Sequence, residues 1–417
     1  MIKEIFGFLK ARRVLILKIL TWVILLTTTY NYIRTIGKFS INFPLGDDYD
    51  AILNFLNHWD ESDSKFSLLF SQHNERRLVF LRIVALAYFK IFHSVNFAHL
   101  IWIGNLFLFF TIGVLYVSTK DKRKFFFFAP IFLWILTYSN WESETWAMAS
   151  LSNFPVLFFA FLSFFFLSKR TLTSFVFSIF FAFLSVFSQG NGLVVFAVGI
   201  VFLLKDKIRL AIWIACGLLA IYIYFILFSY LKPAHSKFEF FAFERMFFLT
   251  RLFYGMTLLS SVFQSKFSLV LGAVPLVFIF YLYKNYKRIS TLLLAMLSFL
   301  LISYTSVVFT RGGFGFEQAF VSRYQVYTIS IYALIFLSLL PKIRIRKHLF
   351  LILLFSGLFY YNSNLLNVHS LQVRKDSILT DQKCGEECST YLTYPEPERA
   401  KNILTQSKTK GVFHNEK

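Results

Sequence analysis

The feature that most restricts this chain is a series of apolar runs recurring from Val14 to Tyr361. Each is about 15 to 24 residues long, close to the ~20 residues a helix needs to cross ~30 Å of hydrocarbon. Composition agrees: charged residues make up 16% and apolar residues 57%, against about 25% charged in a soluble domain. A soluble enzyme and a disordered chain are excluded. So is an outer-membrane β-barrel, whose strands alternate over short segments. The expected fold is an all-α polytopic membrane protein of about 11 transmembrane helices, over about 14–33, 97–118, 125–139, 151–168, 172–188, 192–204, 209–230, 266–283, 290–309, 325–340 and 348–361. Leu78 to Phe92 is apolar but carries Arg82 and Lys90. It is expected to lie in the membrane plane or re-enter.

The net charge of +21 sits in short loops, which argues for membrane anchoring and against nucleic acid. Basic clusters at Lys3 to Arg13, Lys120 to Lys124, Lys169-Arg170, Lys205 to Arg209, Lys284 to Arg288 and Lys342 to Lys347 mark one face, the cytoplasmic one. The N-terminus then lies inside. The acids lie in the other loops: 34–96, 139–150, 231–265 and 310–325. Residues 1–361 form the membrane domain, and 362–417 are expected as a polar tail on the outer side. There Cys384 and Cys388 can pair. Cys216, in an apolar run, reads as inert packing.

The first outer loop opens Phe43-Pro44-Leu45-Gly46-Asp47-Asp48-Tyr49-Asp50. Pro and Gly stop the helix at the surface. Ile52, Phe55, Leu56 and Trp59 recur with the spacing of a short amphipathic helix in the interface. Asp47 and Asp48 would sit near the headgroups, where a carboxylate can serve as general base or hold a divalent cation. One of the pair can instead cap the helix at 49–59. Next comes Ser71-Gln72-His73-Asn74-Glu75-Arg76-Arg77. Its arginine pair suits a phosphate, unless the segment is only a solvated helix start. A single His makes a metal site weak there.

The second outer loop, Tyr138-Ser139-Asn140-Trp141-Glu142-Ser143-Glu144-Thr145-Trp146, sets two acids between two Trp. Interfacial Trp is ordinary, but a Trp face also suits a sugar ring, and Glu142 is favoured over Glu144 for function. The late segment Thr310-Arg311-Gly312-Gly313-Phe314-Gly315-Phe316-Glu317-Gln318 leads to Ser322-Arg323-Tyr324. Its glycines allow close backbone approach to a ligand, and Arg323 stands on the outer side against the charge bias. Its partner is either Glu317, a lipid headgroup or a substrate phosphate. Gln189-Gly190-Asn191-Gly192 reads as a structural turn. The polar residues of 231–265 (Lys232, His235, Lys237, Glu239, Glu244, Arg245, Arg251) suit either an acceptor or plain surface.

Taken in order, Gln72-His73-Asn74-Glu75-Arg76, Asn140-Trp141-Glu142 with Trp146, and Ser322-Arg323-Tyr324 resemble motifs of the GT-C glycosyltransferases. These are polytopic enzymes that use polyprenyl-phosphate-linked sugars. Length, Phe richness and topology are similar to the phage-encoded serotype-converting O-antigen glucosyltransferases. The chain lacks the large soluble C-terminal domain of oligosaccharyltransferase members. The resemblance implies transfer of a hexosyl group, glucosyl in that branch, from a polyprenyl-phosphate donor to a polysaccharide or lipid-linked glycan. It places the protein in the bacterial inner membrane with its site on the periplasmic face. It implies Asp47 or Asp48 as base and Glu142 as positioning group. Arg323, with Arg76 or Arg311, would meet the departing phosphate. His73, Glu75, Trp141, Trp146 and Tyr324 would complete the substrate site. No cofactor is required; a divalent cation on Asp47 and Asp48 is allowed. The rival expectations are an O-antigen polymerase or ligase, and a lipid-linked sugar flippase. A flippase would carry charges at mid-span, and the span interiors here are nearly charge-free.

Overall fold

The computed structural model describes residues 2–231, 245–265, 267–343, 345–385 and 391–414, with side chains left aside at 2–11, 13, 245–248 and 345–347. Among these the chain is helical throughout. The one extended pairing is an isolated antiparallel bridge between His73 and Arg76. This follows from the apolar runs: in hydrocarbon a helix satisfies every backbone group within its own segment.

The helices of ten or more residues are α1 (Ile2–Phe39), α2 (Val79–Phe92), α3 (Phe97–Ser118), α4 (Lys124–Ile135), α5 (Ala147–Leu167), α6 (Leu172–Ser188), α7 (Val194–Leu203), α8 (Lys207–Ile221), α9 (Arg245–Ser260), α10 (Ala273–Lys284), α11 (Thr291–Arg311), α12 (Gln325–Leu339), α13 (Ile345–Cys384) and α14 (Pro397–Thr409). Side chains in the connecting turns start several of them. Asn96 accepts from the His99 amide, Asp206 accepts from the Arg209 amide, and Thr171 with Ser174 forms a capping box.

Seven helices are long and apolar enough to cross a membrane, or eight if the bent pair Leu249–Phe263 and Ser268–Lys284 is one span. The spans built on α5 and α12 are the central ones, each 78% buried; the first span is only 11% buried and α13 only 17%. The outer helices therefore turn Leu15, Ile16, Trp22, Leu26, Phe350 and Phe355 outward, as lipid-facing helices do. Inside the bundle, hydroxyls bridge helices: Ser163 donates to the Ser178 carbonyl (2.9 Å) and Ser185 to the Val156 carbonyl (3.1 Å).

Contacts sort the loops as their charges do. The basic loop at 120–124 meets 340–343, where the Arg123 guanidinium donates to the carbonyls of Ile343 (2.9 Å) and Leu340 (3.0 Å). Arg209 likewise donates to the Arg170 carbonyl (2.6 Å). The acidic loops gather among themselves, as described below.

Three expectations change, and one, for 78–92, does not. First, the apolar stripe Ile52, Phe55 and Leu56 is fully buried rather than laid in lipid. Its helix is a π turn, Tyr49–Asn54, followed by Phe55–Asn57, and α14 packs over it. Second, no break occurs at 361, because α13 runs 40 residues through it. At 1.5 Å per residue that is ~60 Å, about twice the hydrocarbon thickness, so α13 carries its polar end well beyond the bilayer. Third, α2, expected to lie in plane or re-enter, has 14 residues and is not among the helices long and apolar enough to cross. Its Arg82 donates to the carbonyls of Leu68 (3.2 Å), Leu69 (3.0 Å) and Ser71 (2.6 Å), closing the loop before it. Fourth, Ser71 to Arg77 does not start a helix. His73 and Arg76 exchange backbone bonds (2.8 and 2.9 Å) around a tight turn with Asn74 at φ 49°.

That turn divides the arginine pair. Arg77 is fully buried and donates to the carbonyls of Tyr224 (2.6 Å), Phe228 (2.9 Å) and Phe70. It is spent on the backbone and is not available to a phosphate. Arg77→Leu strands these carbonyls, each costing about 1–3 kcal/mol. Thermal unfolding of the purified protein should show a large loss for Arg77→Leu and a shift of less than about 1 kcal/mol for Arg76→Leu.

Candidate functional site

Four segments meet at the acidic end: the first loop at 43–50, the second at 139–148, the late loop at 311–324, and the projecting part of α13. The join is made by Asp48. Its Oδ1 accepts from the amide of Met148 (2.8 Å) in the first turn of α5, and its Oδ2 from the amide of Leu45 (3.2 Å). The residue before α5, Trp146, supplies no side-chain cap. Asp48 therefore caps a helix 100 residues away, and makes no side-chain cap for the turn at 49. Gly46 allows this approach. It stands at φ 52°, and a Cβ there would lie 3.2 Å from the Trp146 ring. Trp146 is buried and forms the floor of the loop, not an open platform for a sugar.

The two neighbouring carboxyls end up in opposite states. Burial pushes Asp48 up to about 8, against the pull of the Met148 and Leu45 amides and with a further push from Asp47. Asp47 is partly exposed. Its partial burial would raise it, but the hydrogen bond from His73 and the charges of His73, Arg76 and Arg323 hold it below the usual carboxylate range. Its Oδ1 lies 3.4 Å from His73 Nε2 and 3.4 Å from Asn74 Nδ2. At neutral pH Asp47 is the ionised member and Asp48 the protonated one. The pair does not converge as a pincer for a cation, because both Asp48 oxygens are turned to amides. Among the described residues there is no group of three or more His, Cys, Asp or Glu suited to a metal.

Glu142 is held from three sides. Its amide donates to Ser322 Oγ (3.1 Å), its Oε2 accepts from the Arg323 amide (3.1 Å), and its Oε1 lies 3.5 Å from the Arg374 guanidinium. Ser322 Oγ donates onward to the Ser139 carbonyl (2.6 Å). Arg374 stacks 4.2 Å from the centre of the Trp141 ring. Glu144 is fully buried, neither oxygen has a hydrogen-bond partner, and burial drives it well above the carboxylate range. It is a neutral group inside the loop's packing, in keeping with the preference for Glu142.

Arg323 lies between these clusters. Its guanidinium is 6.0 Å from the Trp146 ring and 5.5 Å from the Tyr324 ring. Glu317 is exposed and forms no ion pair with it among the described residues. Gly312 and Gly313 serve the protein first: a Cβ on either would lie 2.6 or 3.1 Å from the Arg251 guanidinium, so they seat an arginine, while Gly315, at φ 104°, faces open space. Lys232, His235, Lys237, Glu239 and Glu244 lie outside the described residues, as does the side chain of Arg245. Cys384 is disulfide-bonded, and Cys388 also lies outside them. Cys216 is a free, half-buried thiol.

Three cavities open around this centre. One, of about 490 Å³, holds Glu75, Arg76, Arg311 and Tyr324. Its wall also contains Gln189, Asn191 and Tyr327, which the sequence placed in a structural turn or an ordinary span. Asn191 donates to Tyr327 (3.0 Å), while its Oδ1 and the hydroxyls of Ser303 and Tyr324 are buried without partners. Arg311 pairs loosely with Glu75, at 3.7 Å. The second, of about 670 Å³, holds Asp47, Asp50, His73, Tyr394 and Arg399. The third, of about 860 Å³, holds Trp141, Glu142 and Ser322. The sequence reading missed Arg374, which contacts Glu142 and Trp141 from what looked like a polar tail. No protein-family profile, curated protein or solved structure matches this chain.

The Asp48 cap sets a pH dependence. Between its unfolded value near 3.8 and about 8 the folded state keeps a proton that the unfolded chain releases. Stability therefore falls as pH rises through that window. Thermal unfolding from pH 5 to 9 should show this slope in the wild type and a flatter one, by about one proton, in Asp48→Asn.

Proposed function

We propose that this protein is a membrane glycosyltransferase that moves a hexosyl group from a polyprenyl-phosphate donor to a glycan at the outer face of the membrane. The observation that carries the reading is an ionised, partly exposed Asp47, held low by His73 and by the charges of Arg76 and Arg323, with Arg76 also lining a cavity that contains Arg311. A base and an anion-binding pocket side by side suit a displacement whose leaving group is a phosphate. Asp47 would accept the proton of the attacking hydroxyl. The anomeric carbon would exchange its bond to the phosphate oxygen for one to that hydroxyl oxygen. Arg323, Arg76 and Arg311 would meet the charge left on the phosphate. Donor lipid held in the bilayer reaches the site by diffusion in two dimensions, which favours encounter. The O-antigen acceptor, the glucosyl donor and the bacterial inner membrane rest on the motif resemblance alone.

Eleven crossings fit this reading. They require the short apolar helices α4, α6 and Gly190–Leu203 to cross together with the eight long ones. The GT-C fold belongs to the same proposal. Span interiors nearly free of charge, with Lys18 near one end of the first span, support interfacial chemistry over passage of a headgroup.

Membranes containing the protein, supplied with labelled polyprenyl-phosphate hexoses, should pass label into water-soluble or polysaccharide fractions. Arg76→Ala and Arg311→Ala should each lower the rate about 10²–10³-fold at equal protein level. Loss of no more than about twofold in both would remove the cationic cavity from the reaction. No transfer from a panel of lipid-linked hexoses would contradict the reading.

A further inference from the structure

The cavity of about 860 Å³ on the far side of Ser322 has a chemistry unlike its neighbours. Among the described residues Glu142 is its one ionisable wall residue, and that carboxylate is already met by Arg374 and the Arg323 amide. The remaining polar wall is neutral: Gln264, Ser265, Ser268, Ser322, Asn367 and Ser370. Gln264 donates to Asn367 (3.0 Å), and Asn367 donates to the Ser363 carbonyl (2.7 Å). The amides are thus held in place before any ligand arrives. Trp141 lines the same cavity with one ring face backed by Arg374 at 4.2 Å, so the indole is fixed as a flat wall. A rigid indole among oriented amides and hydroxyls, with no cation among the described wall residues, matches a polyhydroxylated, uncharged molecule. An anion would find no charge to meet it, and a lipid tail would leave the amides facing hydrocarbon.

The cavities on either side of the Ser322-Arg323-Tyr324 segment differ in the matching way. Tyr324 faces the cationic cavity and Ser322 faces the neutral one. The segment is a partition between a chamber that holds arginines and one whose described polar wall is neutral apart from Glu142. The chamber beside Asp47 is the poorer candidate for a neutral sugar, because Asp50, Glu396 and Arg399 crowd it with charge.

We propose that this cavity binds an uncharged carbohydrate chain, with a sugar ring against Trp141 and hydroxyls on Gln264 and Asn367. This rests on the glycosyltransferase reading for its purpose: the chain would be the acceptor. Its binding is testable without turnover. The full-length protein in lipid nanodiscs is mixed with a pool of neutral oligosaccharides, made by hydrolysis of dextran, starch, galactan and mannan. A second pool comes from polyuronates. Saturation-transfer NMR reads binding. Ser370→Trp fills the cavity from a half-buried position that makes none of the bonds above, and Trp141→Ala removes the platform.

The proposal expects saturation of neutral sugar protons by the wild type, an about tenfold weaker signal in both variants, and little from the acidic pool. No saturation from the neutral pool, equal saturation in Ser370→Trp, or preference for the acidic pool overturns it. Consumption of labelled lipid-linked hexose, followed in parallel, separates the two claims. If consumption continues while neutral binding is absent, the cavity assignment falls alone. If both are absent, the glycosyltransferase reading falls with it.

Discussion

The bond from the Met148 amide to the Asp48 carboxyl is the constraint on which the outer end depends. It spans 100 residues and ties the loop after the first helix to the start of the central helix α5. The helix N-terminus supplies an amide with no intrahelical partner, and the loop supplies the acceptor that Trp146 does not. Asp48 must be buried to reach it, and burial favours its protonated form. Asp47 then points the other way, toward His73, and stays ionised. One packing event sorts two adjacent, identical side chains into an anchor and a reactive group.

The C-terminal segment holds the same loop from outside. Asp381, on the projecting part of α13, accepts from the amides of Leu392 (3.1 Å) and Thr393 (2.7 Å). The Thr393 carbonyl in turn accepts from the Gly46 amide (2.7 Å). Asp50 receives Tyr394 (2.5 Å) and Arg399 (2.5 Å). These bonds explain why the Ile52, Phe55 and Leu56 stripe is buried in protein. They also give the length of α13 a purpose, since the same helix brings Arg374 to Glu142.

Much of the layout was legible in the sequence. Apolar run lengths mark the helices, and the separation of acids from bases anticipates which loops touch. The loops that carry Asp47 and Glu142 do meet, through the bond from the Met148 amide to Asp48. What stayed hidden depends on tertiary packing. Nothing local distinguishes Asp47 from Asp48, or Arg76 from Arg77; which one is buried depends on Met148, Tyr224 and Phe228. Arg374 looked like solvated tail because helix continuation past Tyr361 rests on contacts, not on hydropathy. The glycines at 312–315 suggested ligand approach, but Arg251 occupies the space that Gly312 and Gly313 leave.

Initial rates of transfer from labelled polyprenyl-phosphate hexose distinguish the two roles within the Asp47-Asp48 pair. Asp47→Asn removes the base and should lower the rate about 10²–10⁴-fold with unchanged thermal stability. Asp48→Asn keeps an acceptor for Met148 and should retain a rate within about tenfold of wild type. The reverse order, with Asp48→Asn inactive and folded while Asp47→Asn stays active, would contradict the account.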